Sequence, residues 1–243
     1  MSHNIKKKKA MIIGGSGGIG KHISLTLAKL GVNLIIHGGK DRDKLNTTLK
    51  ECKKHTTEVS GFLAEISREK EFIERCVSFM PVDILIISAG PVLYKEIAET
   101  TEDEWDFIVK ANFTLPSIII SKALKGMIEN GYGRIILMGG NNTDHIRGYK
   151  RIAAYSAAKT ALGVIAKSIA NSYSKYNISC NILCPGVVLT EYQDKSSLPF
   201  SVKVENHFFT DGEDIAEIVA DIVKKEKPVL NGAIISVDKG FRP

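Results

Sequence analysis

The chain has 243 residues, of which 44% are hydrophobic and 25% are charged, a composition typical of a globular protein with a sizeable apolar core. It excludes a disordered chain, a collagen and a coiled coil. The formal net charge of +6 is spread along the sequence apart from the run Lys6–Lys9. We interpret this run as the solvated flank of a strand and not as a nucleic-acid-binding arm, so we expect no nucleic-acid partner.

Short apolar runs alternate with longer stretches of helical periodicity along the whole chain. The short runs predict strands at 9–13, 33–37, 59–63, 83–88, 133–138, 178–184 and 233–237. The periodic stretches predict helices near 18–30, 41–55, 68–79, 102–129, 153–175 and 212–225. This alternation predicts an α/β fold of the doubly wound, Rossmann type, in which helices cover both faces of a seven-stranded parallel sheet. We expect residues 1–243 to form a single domain.

The first predicted strand runs directly into a glycine-rich turn. Glycines there allow a tight bend and let backbone N–H groups approach a pyrophosphate, which the amino terminus of the next helix also attracts. In the first strand–helix unit of such a chain, this turn predicts a dinucleotide-binding site. The candidate cofactor residues in the turn are Gly14, Ser16, Gly17, Gly18, Ile19 and Gly20.

The end of the second predicted strand bears on which dinucleotide binds. An NAD-selective site places a carboxylate there, which binds the adenine ribose and repels a 2′-phosphate. Here the strand ends in His37, and Lys40 and Arg42 follow. The sequence therefore favours NADP(H) over NAD(H), with His37 and Lys40 as candidate cofactor residues, although Asp41 and Asp43 leave NAD(H) open. The alternative for His37 is a polar residue that simply ends a strand.

Two of the predicted helices are apolar around more than one face. One contains Leu115, Ile118, Ile119, Ile120 and Leu124, and the other contains Ala161, Leu162, Val164, Ile165 and Ile169. A helix of this kind must be buried on two sides. We expect a subunit interface, and complete burial within the monomer is the alternative.

Tyr155 and Lys159 are four residues apart in helix-forming sequence, so their side chains project from one face. A neighbouring ammonium favours the phenolate and lowers the pKa of a tyrosine, which is ordinarily about 10. We therefore predict that Lys159 lowers the pKa of Tyr155, so that Tyr155 can act as an acid or base near neutral pH.

Cysteine usage and hydropathy bear on where the protein works. The four cysteines form neither a CxxC pair nor a His/Cys cluster with the spacing of zinc ligands, so we expect reduced structural thiols and no metal. No run approaches the roughly 18 to 20 apolar residues of a membrane span. We expect a cytoplasmic protein without a membrane partner.

Several motifs, in order along the chain, resemble the short-chain dehydrogenase/reductase family, particularly its 3-oxoacyl carrier-protein reductases. The glycine turn matches Thr-Gly-x-x-x-Gly-x-Gly, and Ala89-Gly90 matches the end of Asn-Asn-Ala-Gly. Asn112 lies where the family has its active-site asparagine, and Tyr155 and Lys159 match Tyr-x-x-x-Lys. Residues 185–190 match Pro-Gly-x-x-x-Thr. The resemblance covers essentially the whole chain.

The resemblance implies an enzyme that transfers a hydride between a nicotinamide and a ketone or secondary alcohol, with 3-oxoacyl thioesters among the candidate substrates. Tyr155 would exchange a proton with the substrate oxygen, Lys159 would hold the nicotinamide ribose, and Asn112 would position a water. A substrate loop at 191–210 and a homotetramer, or else a homodimer, are also implied. The further cofactor-binding residues implied are Glu65, Ile66, Ser88, Ala89, Gly90, Pro185, Gly186, Val188 and Thr190.

The sequence departs from the family at polar residues that brace the cofactor turn. Ile13 replaces the threonine of the glycine motif, and Ile87-Ser88 replaces the paired asparagines. Ser88 retains one polar group at this position.

The catalytic serine of the family is also missing. Alignment on the fifth strand puts Gly140 at its position, whereas alignment backwards from Tyr155 puts Asn142 there. Losing one such donor typically costs about 10²- to 10³-fold in rate. Our candidate replacement is Asn142, and Asn141 and Thr143 also carry suitable donors. The alternative is a weakened enzyme or a non-catalytic nucleotide-binding or sensing protein of the same family.

Overall fold

A computed structural model describes residues 5–56, 58–190 and 206–240. The strands in these residues are β1 (Lys9–Ile13), β2 (Asn33–Gly38), β3 (Val59–Leu63), β4 (Ile84–Ile87), β5 (Gly133–Met138), β6 (Ile178–Pro185) and β7 (Ile234–Val237). They form one parallel sheet in the order β3-β2-β1-β4-β5-β6-β7. The predicted doubly wound sheet is confirmed.

The connections between strands are helical and follow the predicted stretches closely. The helices are α1 (Gly18–Lys29), α2 (Arg42–Cys52), α3 (Glu69–Val77), α4 (Glu102–Val109), α5 (Leu115–Asn130), α6 (Ala153–Tyr173) and α7 (Gly212–Val223). Neighbouring strand residues point to opposite faces of the sheet. Ile12 packs with α1, α2 and α7 on one face, whereas Ile13 packs with α3, α5 and α6 on the other. Both faces are covered, so the strands are apolar throughout.

The stretch predicted as a single helix at 102–129 is interrupted. Between α4 and α5 the chain forms a π turn at Lys110–Thr114. Pro116 has no N–H to donate to the carbonyl of Asn112 four residues earlier, so the regular α-helical pattern cannot continue there. Glu102–Asn130 is long and apolar enough by composition to cross a membrane, but Leu115, Ile119, Ile120, Ala123, Leu124 and Met127 of α5 belong to the core of the domain. The π turn matters because it carries Asn112.

The two apolar helices differ in how much of their surface the monomer covers. Leu115, Ile119 and Ile120 of α5 are buried in the core, so burial within the monomer explains most of this helix. On α6, in contrast, Val164 is 67% exposed.

The basic run near the amino terminus is held against the domain. The Nζ of Lys8 lies 3.2 Å from the carboxylate of Asp83 and 4.1 Å from the centre of the Tyr132 ring. The Nζ of Lys9 donates to the Phe79 carbonyl at 2.6 Å. These contacts agree with the interpretation of the run as the flank of β1.

Candidate active site

The predicted site residues gather at one edge of the sheet. The strand order reverses between β1 and β4, and ligands of such sheets bind beyond the carboxyl ends of the strands at this point. The glycine turn follows β1, residues 88–90 follow β4, Gly140 follows β5, and Pro185 ends β6. Motifs that are far apart in sequence are therefore brought together here.

The glycine turn has the geometry of a phosphate-binding turn. Gly14 has a φ of +79°, and a Cβ at this position would lie 2.8 Å from the backbone nitrogen of Ala89, so conformation and space both require glycine. Gly17 is the N-cap of α1, and the first turn of this helix contains no acidic residue. With no capping side chain, the first N–H groups of α1 are oriented to bind an anion.

His37 does not lie where the prediction of cofactor contact placed it. Its side chain is only 1% exposed, because it points beneath the glycine turn. Its Nδ1 accepts from the N–H of Gly14 at 3.0 Å, and its Nε2 lies 2.8 Å from the Ala64 carbonyl. Both ring nitrogens are thus bound to the protein, so the prediction that His37 contacts the cofactor directly is wrong.

An apolar cavity adjoins the turn, between the ends of β1 and β4 and helices α3 and α5. Its lining residues are Ile13, Ile66, Phe72, Ile87, Ala89, Ala111, Leu115, Pro116 and Ile119. The lining is apolar, and the space that it encloses is too small for a nucleobase. Ile66 and Ala89 are among the predicted cofactor-binding residues. The lining residues on α3 and α5 were not predicted, because helical periodicity indicates that a residue is buried but not that it lines a cavity. Glu65 is not among these lining residues, and its Oε1 lies 3.8 Å from the Nε of Arg68.

Tyr155 and Lys159 lie on α6, where the Nζ of Lys159 is 5.8 Å from the centre of the Tyr155 ring. Lys159 is 4% exposed and donates to the Met138 carbonyl at 2.9 Å. Burial lowers the pKa of Lys159 to about 8. Burial, followed by the nearby Tyr94, Cys184 and Tyr149, raises the pKa of Tyr155.

The prediction that Lys159 lowers the pKa of Tyr155 is therefore wrong. The ammonium of Lys159 donates to the Met138 carbonyl, and desolvation of the phenolate is the main cause of the raised pKa of Tyr155.

Asn112 lies on the π turn, beside Lys159. Its amide donates to the carbonyls of Pro91 at 2.9 Å and Ile108 at 3.0 Å. Its Oδ1 is buried and has no hydrogen-bond partner among the described residues. This Oδ1 and the Nζ of Lys159 both pack against Gly90, so closely that a Cβ at this position would clash with them. An unpartnered acceptor beside an amine fits a bound water or a ribose hydroxyl.

Gly140 lies directly against Tyr155. A Cβ at Gly140 would be 2.9 Å from the hydroxyl of Tyr155 and 2.8 Å from its Cε1. The alignment on the fifth strand is therefore the correct one, and Asn142 does not occupy the serine position.

Asn142 is buried with a φ of +55°, and its amide donates to the Oδ1 of Asn141 at 3.0 Å. The hydroxyl of Thr143 accepts a hydrogen bond from the N–H of Gly140 at 2.8 Å and donates one to the carbonyl of Gly140 at 2.9 Å.

The segment after β6 is tied to the end of β7. The N–H of Gly186 donates to the Val237 carbonyl at 2.9 Å, and Val188 pairs with Thr210 in an isolated bridge. Residues 191–205 of the predicted substrate loop lie outside the described residues, and Asn206–Phe208 form a short 3-10 turn.

Residues 8–199 match the sequence pattern of the family described as short chain dehydrogenase. The match covers well over half of the chain, and the glycine turn, Asn112, Tyr155 and Lys159 meet in one site as the family's motifs imply. The chain belongs to the short-chain dehydrogenase/reductase family.

Relatives of this short-chain dehydrogenase act on chemically different substrates. It is 28% identical to the 3-oxoacyl-(acyl-carrier-protein) reductase FabG of Rickettsia bellii, over 98% of each chain. It is 26% identical to the 2-dehydro-3-deoxy-D-gluconate 5-dehydrogenase of Formosa agariphila, over 98% of this chain and 94% of the other. Its structure is similar to that of the actinorhodin polyketide ketoreductase with NADPH, with a TM-score of 0.84, 25% identity, and 96% and 97% of the two chains covered. The similarity fixes the reaction type, not the substrate.

Two tyrosines that the sequence analysis did not single out lie near Tyr155 in this short-chain dehydrogenase. Tyr94 is 44% exposed, and the hydroxyl of Tyr149 donates to the Asn141 carbonyl at 2.8 Å. Both raise the pKa of Tyr155. They reach the site from the loops after β4 and β5, where no motif marks them.

Proposed function

We propose that this short-chain dehydrogenase reduces a ketone to a secondary alcohol with NADP(H), and that 3-oxoacyl thioesters are one class of its substrates. The observation that carries the proposal is the meeting of Tyr155, Lys159 and the unpartnered Oδ1 of Asn112 beside a phosphate-binding turn. The bound nicotinamide supplies or accepts the hydride. The protein orients the reactants and moves the proton.

The protonation state of Tyr155 suits its role as the proton donor in the reductive direction. At neutral pH its hydroxyl retains its proton, which is the state that donates to a carbonyl oxygen as the alcohol forms. Lys159, whose pKa is lowered to about 8, still carries its proton at neutral pH. Its Nζ and the Oδ1 of Asn112 both lie against Gly90, and a water that binds both groups would link Lys159 to the amide of Asn112.

The end of β2 supports NADP(H) as the preferred cofactor. Gly38 and Gly39 stand where a carboxylate would repel a 2′-phosphate. The nearest acid, Asp41, accepts from the N–H of Lys44 at 3.0 Å as the N-cap of α2. Lys40 and Arg42 are exposed beside it. The carboxylate is therefore engaged in the helix cap, while the two cations are available to a phosphate.

Calorimetric titrations with NADPH and NADH test the cofactor preference. We expect NADPH to bind at least about tenfold more tightly, because charge-assisted bonds to a phosphate are strong. The double variant Lys40→Ala/Arg42→Ala should lose this preference by weakening NADPH alone, and Lys53→Ala, which removes an exposed lysine at the other end of α2, should retain it. Equal affinities for the two cofactors in the unmodified protein would contradict the proposal.

Gly140 favours a second candidate function, a nucleotide-binding or sensing protein with little or no turnover. The position that relatives use for a carbonyl-polarising hydroxyl has no side chain here. A panel of 3-oxoacyl thioesters, sugar-acid ketones and polycyclic ketones, followed by NADPH absorbance, separates the two functions. Turnover of any of these ketones supports the reductase, and tight NADPH binding without turnover supports the sensor.

We also propose that the active form is a homotetramer or a homodimer, with α6 in the subunit interface. The exposed Val164, on a helix whose Leu162, Ala166 and Ile169 are buried in the core, supports this proposal. Light scattering on the eluting protein measures the mass directly, and a monomer at micromolar concentration would contradict the proposal.

A further inference from the structure

The glycine turn of this protein is held by a hydrogen bond to a histidine side chain of the neighbouring strand. Ile13 and Ile87, which stand beside the turn, have no polar side chain to offer it, and both line the apolar cavity. The N–H of Gly14 is nevertheless bound, because it donates to the Nδ1 of His37 at 3.0 Å. The brace thus comes from β2, the neighbouring strand.

The two partners of His37 determine its protonation state. A backbone N–H only donates, so the Nδ1 that receives the Gly14 amide carries no hydrogen. A carbonyl only accepts, so the Nε2 that lies 2.8 Å from the Ala64 oxygen carries one. The ring is therefore neutral, and it connects the carboxyl ends of β1, β2 and β3.

The surroundings of the ring are apolar. Phe62 and Phe72 pack against it with ring centres 5.2 and 5.3 Å away, and residues 14–20 of the turn contain no ionisable side chain. The charged groups on the packed elements include Arg75 of α3, whose guanidinium lies 5.8 Å from the Phe62 ring, and the Glu65 and Arg68 pair after β3. Burial lowers the pKa of His37 below its usual 6.5.

We propose that neutral His37 is a positioning residue for the cofactor, which holds the Gly14 amide and with it the phosphate-binding turn, and that its protonation releases the turn. The naming of NADP(H) as the ligand rests on the proposed function, whereas the brace itself does not. A proton on Nδ1 would meet the N–H of Gly14 in a site where no acid compensates the charge. The bond is therefore fully present above pH 6.5 and is lost as the pH falls through the lowered pKa of His37.

Two variants separate the hydrogen bonds from the titration. His37→Gln keeps one acceptor and one donor but cannot gain a proton, and His37→Phe keeps an aromatic ring but neither polar atom. With NADP⁺, which tolerates acid, we expect His37→Phe to bind at least about tenfold more weakly at pH 8, since an unsatisfied buried N–H is costly. His37→Gln should bind within a few-fold of the unmodified protein, an order-of-magnitude expectation from the same principle.

The pH dependence gives the sharper test. The 2′-phosphate itself titrates near pH 6, so the readout is the difference in Kd between the unmodified protein and His37→Gln from pH 8 to pH 5. We expect the unmodified protein to lose affinity more steeply, and the control His55→Gln, which removes an exposed histidine, to follow the unmodified protein. Equal pH profiles for the unmodified protein and His37→Gln would overturn the proposal.

Hydrogen exchange without cofactor tests the brace independently. We expect the Gly14 amide to have a high protection factor in the unmodified protein and in His37→Gln, and a lower one in His37→Phe. In the unmodified protein, the protection factor, which corrects for the intrinsic exchange rate at each pH, should fall on acidification. Equal protection factors in the unmodified protein and both variants would overturn the brace even if all of them bind NADP⁺. If the unmodified protein bound neither dinucleotide, the proposed function would fail, and the Gly14 protection would still decide the role of His37.

Discussion

The two halves of the candidate active site differ in whether backbone groups or side chains form them. The half that would hold the dinucleotide consists largely of backbone: the Gly14 turn, the amino terminus of α1 and the close approach of residues 88–90. The half that would meet the substrate relies on side chains from the loop after β5, where Gly140 replaces a serine and Tyr149 lies nearby.

This difference explains why changes of sequence affect the two halves unequally. A backbone N–H binds a phosphate whichever side chains surround it, so Ile13 and Ile87 are compatible with the turn once His37 braces Gly14. The backbone N–H of Gly140 already donates to the Thr143 hydroxyl, so Gly140 offers no donor in place of the serine hydroxyl, and the loss of that hydroxyl falls on the chemical step. Cofactor affinity and turnover should therefore respond to different substitutions.

The largest expected effect is on turnover, in Tyr155→Phe. Without the phenol hydroxyl no proton reaches the substrate oxygen, so kcat should fall about 10²- to 10⁴-fold. The Kd for NADP⁺, measured by calorimetry, should stay nearly the same because the backbone half of the site is intact. The matched control is Tyr173→Phe, which removes the hydroxyl of a half-buried tyrosine at the other end of α6. Unchanged turnover in Tyr155→Phe would remove that hydroxyl from the mechanism.

A smaller effect is expected from filling the space at Gly140. A Cβ there lies within 3 Å of the Tyr155 ring and hydroxyl, so Gly140→Ala should displace Tyr155 and lower kcat about tenfold, since misplacement by about 1 Å can cost up to 10²-fold. The Kd for NADP⁺ should not change. Steady-state kinetics of Gly140→Ala and Gly140→Ser sharpen the comparison, because a serine that turns over faster than alanine identifies the missing donor. If Gly140→Ala reacted like the unmodified protein, Tyr155 would have room to adjust.

The smallest effect concerns stability and Lys159. Its pKa is about 8 in the folded protein and 10.5 ordinarily, so between these values the unfolded chain binds more protons and the contribution of Lys159 to stability improves as the pH rises. The free energy of unfolding of the unmodified protein, minus that of Lys159→Met, should therefore increase from pH 8 to pH 10.5 in urea titrations. Lys167→Met, at an exposed position on the same helix, should show no such trend. A constant difference would mean that Lys159 is not desolvated.

The prediction of the fold from sequence succeeded because its signals are local. The alternation of apolar runs with helical periods gave every strand to within about two residues. The same alternation predicted one continuous helix at 102–129 and missed the π turn. There Pro116 interrupts the α-helical hydrogen bonds, and the Asn112 amide donates to the carbonyls of Pro91 and Ile108. Periodicity contains no information about such contacts.

By itself, the sequence determined the doubly wound sheet, the glycine turn and the pairing of Tyr155 with Lys159, because short-range spacing is enough to specify them. Only the tertiary structure decided that Gly140 and not Asn142 lies against Tyr155, and that burial raises the pKa of this tyrosine. It also decided that His37 lies beneath the turn and not in the cofactor site. The physical reason is the same in each case: hydrogen-bond partners and desolvation are set by residues that are distant in the chain and meet only when the sheet has formed.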